Sequence, residues 1–135
     1  MVIVLVDAIS NYLDLRGYWI EHRHALETGI LAAQQQSDRK NEGRFVNYFG
    51  VNKLRCGDYA TALTYWEQSL AIQREIGDKA GEGITLSNLG ATYSDLKQVD
   101  LARKYLQDAL AIFEALQSPN ANIARQWLAG LDNIS

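Results

Sequence analysis

The chain has 135 residues, 47% of them hydrophobic and 21% charged, a balance that supports a buried core and excludes a disordered polymer. Thirteen basic side chains against sixteen acidic ones leave a formal charge of −3, without the basic surplus of a nucleic-acid binder. The one cysteine, Cys56, excludes an internal disulfide framework and a multi-cysteine zinc site, and a single proline points to helices, whose interiors expel it.

The first six residues, MVIVLV, are apolar, but Asp7 follows at once and no basic residue precedes them. The run is too short for a secretory signal or a membrane span, so the reading is a buried first helix over about 2–15, in a protein of the reducing cytoplasm. A second helix is predicted over 19–36. His22 and His24 stand two apart on it, face different ways and cannot grip one ion, so no metal or other cofactor is expected. Apolar residues then recur at helical spacing over 39–55 and 59–76, where Tyr59, Ala62, Leu63, Trp66 and Leu70 step by three and four. The same pattern marks 79–96, 99–116 and 120–132.

Turn signals separate these segments. Cys56-Gly57-Asp58 and Ile76-Gly77-Asp78 join a glycine able to take the left-handed cap geometry to an aspartate able to accept from the next helix's free N–H groups. Ser118-Pro119 reads as an N-cap followed by a first helical residue. Cys56, beside Arg55, reads as a turn residue, and the acidic residues read as solvated helix faces. No nucleophile has a base near it in sequence, so catalysis is not expected.

Shifting the chain by forty residues aligns it with itself without gaps. Asp38 falls on Asp78, Glu42-Gly43 on Glu82-Gly83, and Gly50 on Gly90, which falls in turn on Gly130. Residues 57–72 fall on 97–112, matching Ala62 to Ala102, Trp66 to Leu106 and Leu70 to Leu110. Each period holds two helices, which defines a helical-repeat fold, all-α, of about seven helices in one domain, with repeats over about 1–37, 38–77 and 78–117 and a closing helix over 118–135. Gly90 with Ala102, and Gly50 with Ala62, remove bulk where paired helices approach. Trp66, Leu106, Tyr93 and Leu89 are expected to fill the space between neighbouring pairs, and the recurrence of Trp19, Trp66 and Trp127 near period positions favours core packing.

Leu89-Gly90, Tyr93, Ala102, Leu106 and Ala109 resemble the pattern of the tetratricopeptide repeat family. The middle repeat follows it with Phe49-Gly50, Ala62, Trp66 and Ser69, except that Lys53 replaces the tyrosine. The first repeat departs most, with Ser10, His22 and Gly29 at the small-residue positions. The forty-residue period resembles the branch that includes kinesin light chains, polarity adaptors and the sensor arrays of bacterial nucleotide-binding signalling ATPases, and YLDLRGYW (12–19) is similar to the start of such arrays. No P-loop motif accompanies it.

The resemblance implies a right-handed superhelix that binds a protein or peptide in a concave groove, as an adaptor or sensor, with no role for nucleic acid or membrane. Stepping along the first helix of each pair assigns Arg44, Asn47, Tyr48, Val51 and Arg55 to the groove. The next repeat supplies Ile84, Ser87, Asn88, Ala91, Ser94 and Asp95, and the last helix supplies Trp127 and Leu131. In the resembled adaptors an asparagine of the word Asn-Leu-Gly bonds a peptide backbone. Asn88 matches it, Asn47 lies one residue off, and Tyr48 takes its place in the earlier repeat. The alternative is self-association, or a scaffold segment of a larger tetratricopeptide or signalling ATPase protein, stacking through its terminal helices, the last of which bears Ile123, Trp127, Leu128 and Leu131.

Overall fold

The computed structural model describes residues 19–133. They form six helices and no strand: α1 (Trp19–Gln35), α2 (Arg39–Arg55), α3 (Tyr59–Ile76), α4 (Lys79–Asp95), α5 (Val99–Ala115) and α6 (Asn120–Leu131). Each begins at its predicted first residue and ends within one residue of its predicted last. The predicted helix over 2–15 falls outside the described residues. The chain divides after Ile76 into two compact units.

The regular lengths follow from identical punctuation every twenty residues. Ser37, Gly57, Gly77, Lys97 and Gln117 all adopt positive φ, between 53° and 81°. At four of these stops, two backbone bonds wrap the helix end. Ser37 N–H donates to the Gln34 carbonyl and Asp38 N–H to that of Ala33; Gly57 and Asp58 repeat the arrangement on Leu54 and Lys53. Lys97 with Gln98, and Gln117 with Ser118, do the same. The two hydrogen bonds satisfy carbonyls that the helix itself leaves open. Glycine takes this left-handed backbone without penalty, so it was legible at 57 and 77, whereas serine, lysine and glutamine hold it at a steric cost.

At four of the five stops the side chain of the following residue holds the start of the next helix. Asp38 accepts from Asn41 N–H at 3.2 Å, Asp58 from Thr61 N–H at 3.2 Å and Asp78 from Gly81 N–H at 3.1 Å. Ser118 Oγ accepts from Asn120 N–H at 3.2 Å, and Pro119 already has helical backbone angles. These bonds hold the Asp38 and Asp58 carboxyls below the usual carboxylate range, the Asn41 side chain acting first at Asp38 and the Thr61 side chain first at Asp58.

In the first unit, α2 presents Gly43 and Gly50, two turns apart, to α3. A Cβ on Gly50 would stand 2.5 Å from Trp66 Nε1, and one on Gly43 would stand 3.1 Å from Ile72 Cγ2. The indole of Trp66, 1% exposed, lies on Gly50, and its Nε1 donates to the Asn47 carbonyl at 3.1 Å. Ser69 Oγ donates to the Gly43 carbonyl at 2.7 Å. On its other side α2 packs against α1, with Phe45 and Phe49 in one core cluster with Leu26 and Ala33.

The second unit repeats this plan. Gly83 and Gly90 on α4 admit Phe113 and Leu106 of α5, at 2.7 Å and 2.6 Å from the Cβ positions. Trp66 and Leu106 therefore fill space within helix pairs, not between them as the sequence suggested, because the glycine of each pair leaves a socket only a large side chain can occupy. Helix α6 closes the unit on α5, where Leu131 joins Ala102 and Leu106.

Candidate protein-interaction surface

The face of α2 away from Gly43 and Gly50 is lined by the residues that stepping through the repeat selects. Arg44, Tyr48 and Val51 are half-buried and Arg55 is exposed. The Arg44 guanidinium stands over the Phe45 ring, 5.5 Å from its centroid, and the Tyr48 ring lies 6.4 Å from that of Phe45. Tyr48 thus rests on a buried phenylalanine, which limits its rotamers and keeps a flat amphipathic surface at the helix face. Asn47 is buried.

In the second unit, α4 and α6 flank a cavity of about 200 Å³ lined by Ile84, Ser87 and Asn88 of α4, Phe113 of α5, and Asn120 and Ile123 of α6. Its walls are largely apolar: Ile84 is 42% and Ile123 51% exposed. Ser87 Oγ is buried there without a hydrogen-bond partner, while Asn88 is half-buried at the edge and carries both a donor and an acceptor. Ala91 is half-buried one turn further on. Nearer the carboxyl end of α4, Asp95 is exposed and Ser94 is buried. Leu131, also placed on this face by the sequence, is fully buried.

Trp127 lines a separate hollow, of about 390 Å³, together with Gln126 and Gly130 of α6 and Ser94, Asp95 and Lys97 at the end of α4. At 38% exposure it is no core tryptophan, unlike Trp66, because no helix covers that side of α6 within the described chain.

Two buried carboxylates depart from the expectation of solvated acidic faces. Glu42 and Glu82 occupy equivalent positions forty residues apart and are both over nine-tenths buried. Arg39 Nη1 and Gln34 Nε2 donate to Glu42, and Arg39 also reaches Glu75 at 2.8 Å, which joins the start of α2 to the ends of α1 and α3. Glu75 first, then Glu42, raises the pKa of Arg39. Lys79 Nζ pairs with Glu82 at 3.2 Å. The recurring Arg39–Glu42 and Lys79–Glu82 spacing of three was the sequence signal for these pairs. Cys56 and His24 are exposed. Among the described residues, no three His, Cys, Asp or Glu side chains gather to hold a metal ion, and no helix is long and apolar enough to cross a membrane.

Paired antiparallel helices joined by identical turns, each pair locked by glycines two turns apart, define a helical-repeat interaction module. Residues 46–115, more than half of the chain, match the tetratricopeptide repeat family model, and the chain belongs to that family. Among solved structures it is similar to BtubC (BKLC) from P. vanneervenii, with a TM-score of 0.84 and 19% identity, over 93% of this chain and 52% of that one. The chain therefore spans about half the length of that protein, and the likeness is one of fold. No curated protein matches the chain. Tetratricopeptide repeats are protein–protein interaction modules of a typically non-catalytic family.

Proposed function

We propose that the chain is a non-catalytic adaptor or sensor module of the cytoplasm that binds a peptide or protein segment on the face of α4 bearing Asn88, with the Tyr48 face of α2 a separate contact surface of the first unit. The observation that carries this reading is the cavity of about 200 Å³ on α4, where an apolar lining surrounds the unpartnered Ser87 Oγ and adjoins the Asn88 amide. A peptide backbone offers alternating donors and acceptors, and a carboxamide answers both at once. The apolar lining of Ile84, Phe113 and Ile123 suits one side chain of that peptide, and Ser87 meets a polar atom beside it. In the first unit, Tyr48 supplies an aromatic anchor braced from below, flanked by Arg44 and Arg55, the residue types that dominate interface energies. Val51, Ala91 and Asp95 complete the two faces. Burial of Asn47 and Ser94 leaves their side chains a supporting role beneath them.

Selection from a random-peptide library tests the proposal. Wild type enriches a sequence motif that an Asn88→Arg variant of unchanged helicity fails to retain, and a Tyr48→Ala variant loses any motif selected by the α2 face. Enrichment of the same motif by all three proteins would remove these faces from the binding site. Affinities in the micromolar range are expected, because ordering a flexible peptide offsets much of the contact energy.

A further inference from the structure

The spacing of forty residues that carries α2 onto α4 shortens to thirty-nine at α6. Glu82, Thr85, Leu89 and Thr92 form a buried stripe along α4, and thirty-nine residues on stand Ala121, Ala124, Leu128 and Leu131, all buried except the half-buried Leu128. Forty residues on stand Asn122, Arg125, Ala129 and Asp132, all exposed. Gly130 therefore takes the place of Ala91, not of Gly90, and nothing lies within 4 Å of its added Cβ. Ile123 and Trp127 take the places of Ile84 and Asn88, on the groove side. The face that α4 turns to α5 through Gly83 and Gly90 corresponds to Asn122 and Ala129. A helix following α6 as α5 follows α4 would pack there, and would leave Ile123 and Trp127 uncovered.

Between α4 and α6 runs one furrow with two hollows. The hollow of about 200 Å³ lies between their amino-terminal halves, and no charged residue lines it. The hollow of about 390 Å³ lies between their carboxyl ends, with Asp95, Lys97, Gln126 and Trp127 in its walls. Asp95 closes the last turn of α4, which carries no basic residue, so its carboxylate adds to the negative end of the helix. Among the described residues neither Asp95 nor Lys97 forms an ion pair, and no cation stands over the Trp127 ring. Lys97 is the one positive group of the lining; against it stand the helix end, the carboxylate and the indole face, each favouring a positive guest. We infer that this hollow takes an arginine side chain of an extended peptide whose uncharged apolar side chain fills the other hollow, four residues away. The inference rests on the reading of the Asn88 face as a peptide site. A guanidinium stacks flat on an indole and meets a carboxylate with two donors, as an ammonium does not. The α4 walls of the hollows are centred about nine residues, or about 13 Å, apart. An extended chain covers about 13 Å in four residues, and side chains an even number apart point the same way.

Selection of the full chain against a library of random decapeptides, followed by fluorescence anisotropy with the enriched peptide as labelled probe, tests this. Wild type enriches peptides that carry an apolar residue and an arginine four positions apart. Replacing that arginine by alanine weakens binding about tenfold, and Trp127→Ala or Asp95→Lys in the protein does the same to the arginine peptide. The alanine peptide is indifferent to Asp95→Lys, whereas Lys97→Glu tightens the arginine peptide alone. All three positions are exposed, so the helical spectrum is unchanged. A motif lost with Asn88→Arg but lacking arginine at that spacing, or an arginine peptide indifferent to Asp95→Lys, would overturn the inference and leave the Asn88 face a peptide site. Enrichment of no motif that depends on Asn88 would remove that site and the inference with it.

Discussion

Replacing glycine by alanine inside a helix normally stabilises it by about 1 kcal/mol, since glycine loses most conformational freedom on folding. At Gly90 the structure reverses the sign. The new Cβ would stand 2.6 Å from Leu106 Cγ, 2.9 Å from its Cδ2 and 3.3 Å from the Ala102 carbonyl oxygen. Leu106 is fully buried and the nearest atom is its branch point, so the side chain cannot swing aside without moving α5. Overpacking costs about 1–3 kcal/mol, and contact at 2.6 Å with a buried branch point puts this case at about 2–3 kcal/mol, which leaves Gly90→Ala net destabilised by about 1–2 kcal/mol. Gly130→Ala, with nothing near its Cβ, gains several tenths of a kcal/mol. Urea denaturation followed by helical circular dichroism measures both. The midpoint falls for Gly90→Ala and rises slightly for Gly130→Ala, at unchanged slope. A Gly90→Ala protein as stable as wild type would refute the socket argument and with it the account of how the helix pairs lock.

Three further outcomes follow from the same geometry. Lys97→Gly and Gln117→Gly relieve a left-handed backbone and each raise stability by about 1 kcal/mol, whereas Gly57→Ala lowers it by a similar amount; thermal melting, moving about 4 °C per kcal/mol, reads all three. Trp66→Phe removes the buried bond to the Asn47 carbonyl and part of the ring that fills the Gly50 socket, and costs about 2–3 kcal/mol by the same denaturation assay. The Asp38 and Asp58 carboxyls titrate below their ordinary range in the fold, so they bind protons less readily folded than unfolded. Their stabilisation is present at neutral pH and is lost as pH falls below about 4 through their folded pKa values. A double Asp38→Ala, Asp58→Ala variant is therefore less stable near neutrality and loses less on acidification, as urea midpoints across that range will show.

The helices were legible because their limits are local: spacing of apolar residues, aspartate caps and glycine stops act within a few residues. Where glycine was absent, as at Lys97, the stop came from the same wrapped backbone, which the neighbouring turns could have suggested by their twenty-residue rhythm. The socket partners were only half legible. Gly50 and Gly90 were recognised as points of close approach, but whether Trp66 and Leu106 fill the gap within a pair or between pairs depended on tertiary packing. Of the proposed contact residues, helical spacing located Tyr48, Ile84 and Asn88 on exposed or half-buried surface. It could not foresee that Asn47 and Ser94 are buried, because a position one residue off along a helix turns by about 100° and meets a different neighbour. The buried Glu42 and Glu82 escaped notice since a carboxylate reads as solvated until its cation is seen.

The central claim is that partners are held on the faces bearing Asn88 and Tyr48. Amide chemical-shift mapping of the isotopically labelled chain, titrated with a peptide from the library selection, tests it most directly. Saturable shifts concentrated at Ile84–Ala91 on α4 are expected from a peptide whose retention depends on Asn88. Shifts confined to α6, or to the solvent faces of α3 and α5, would contradict it.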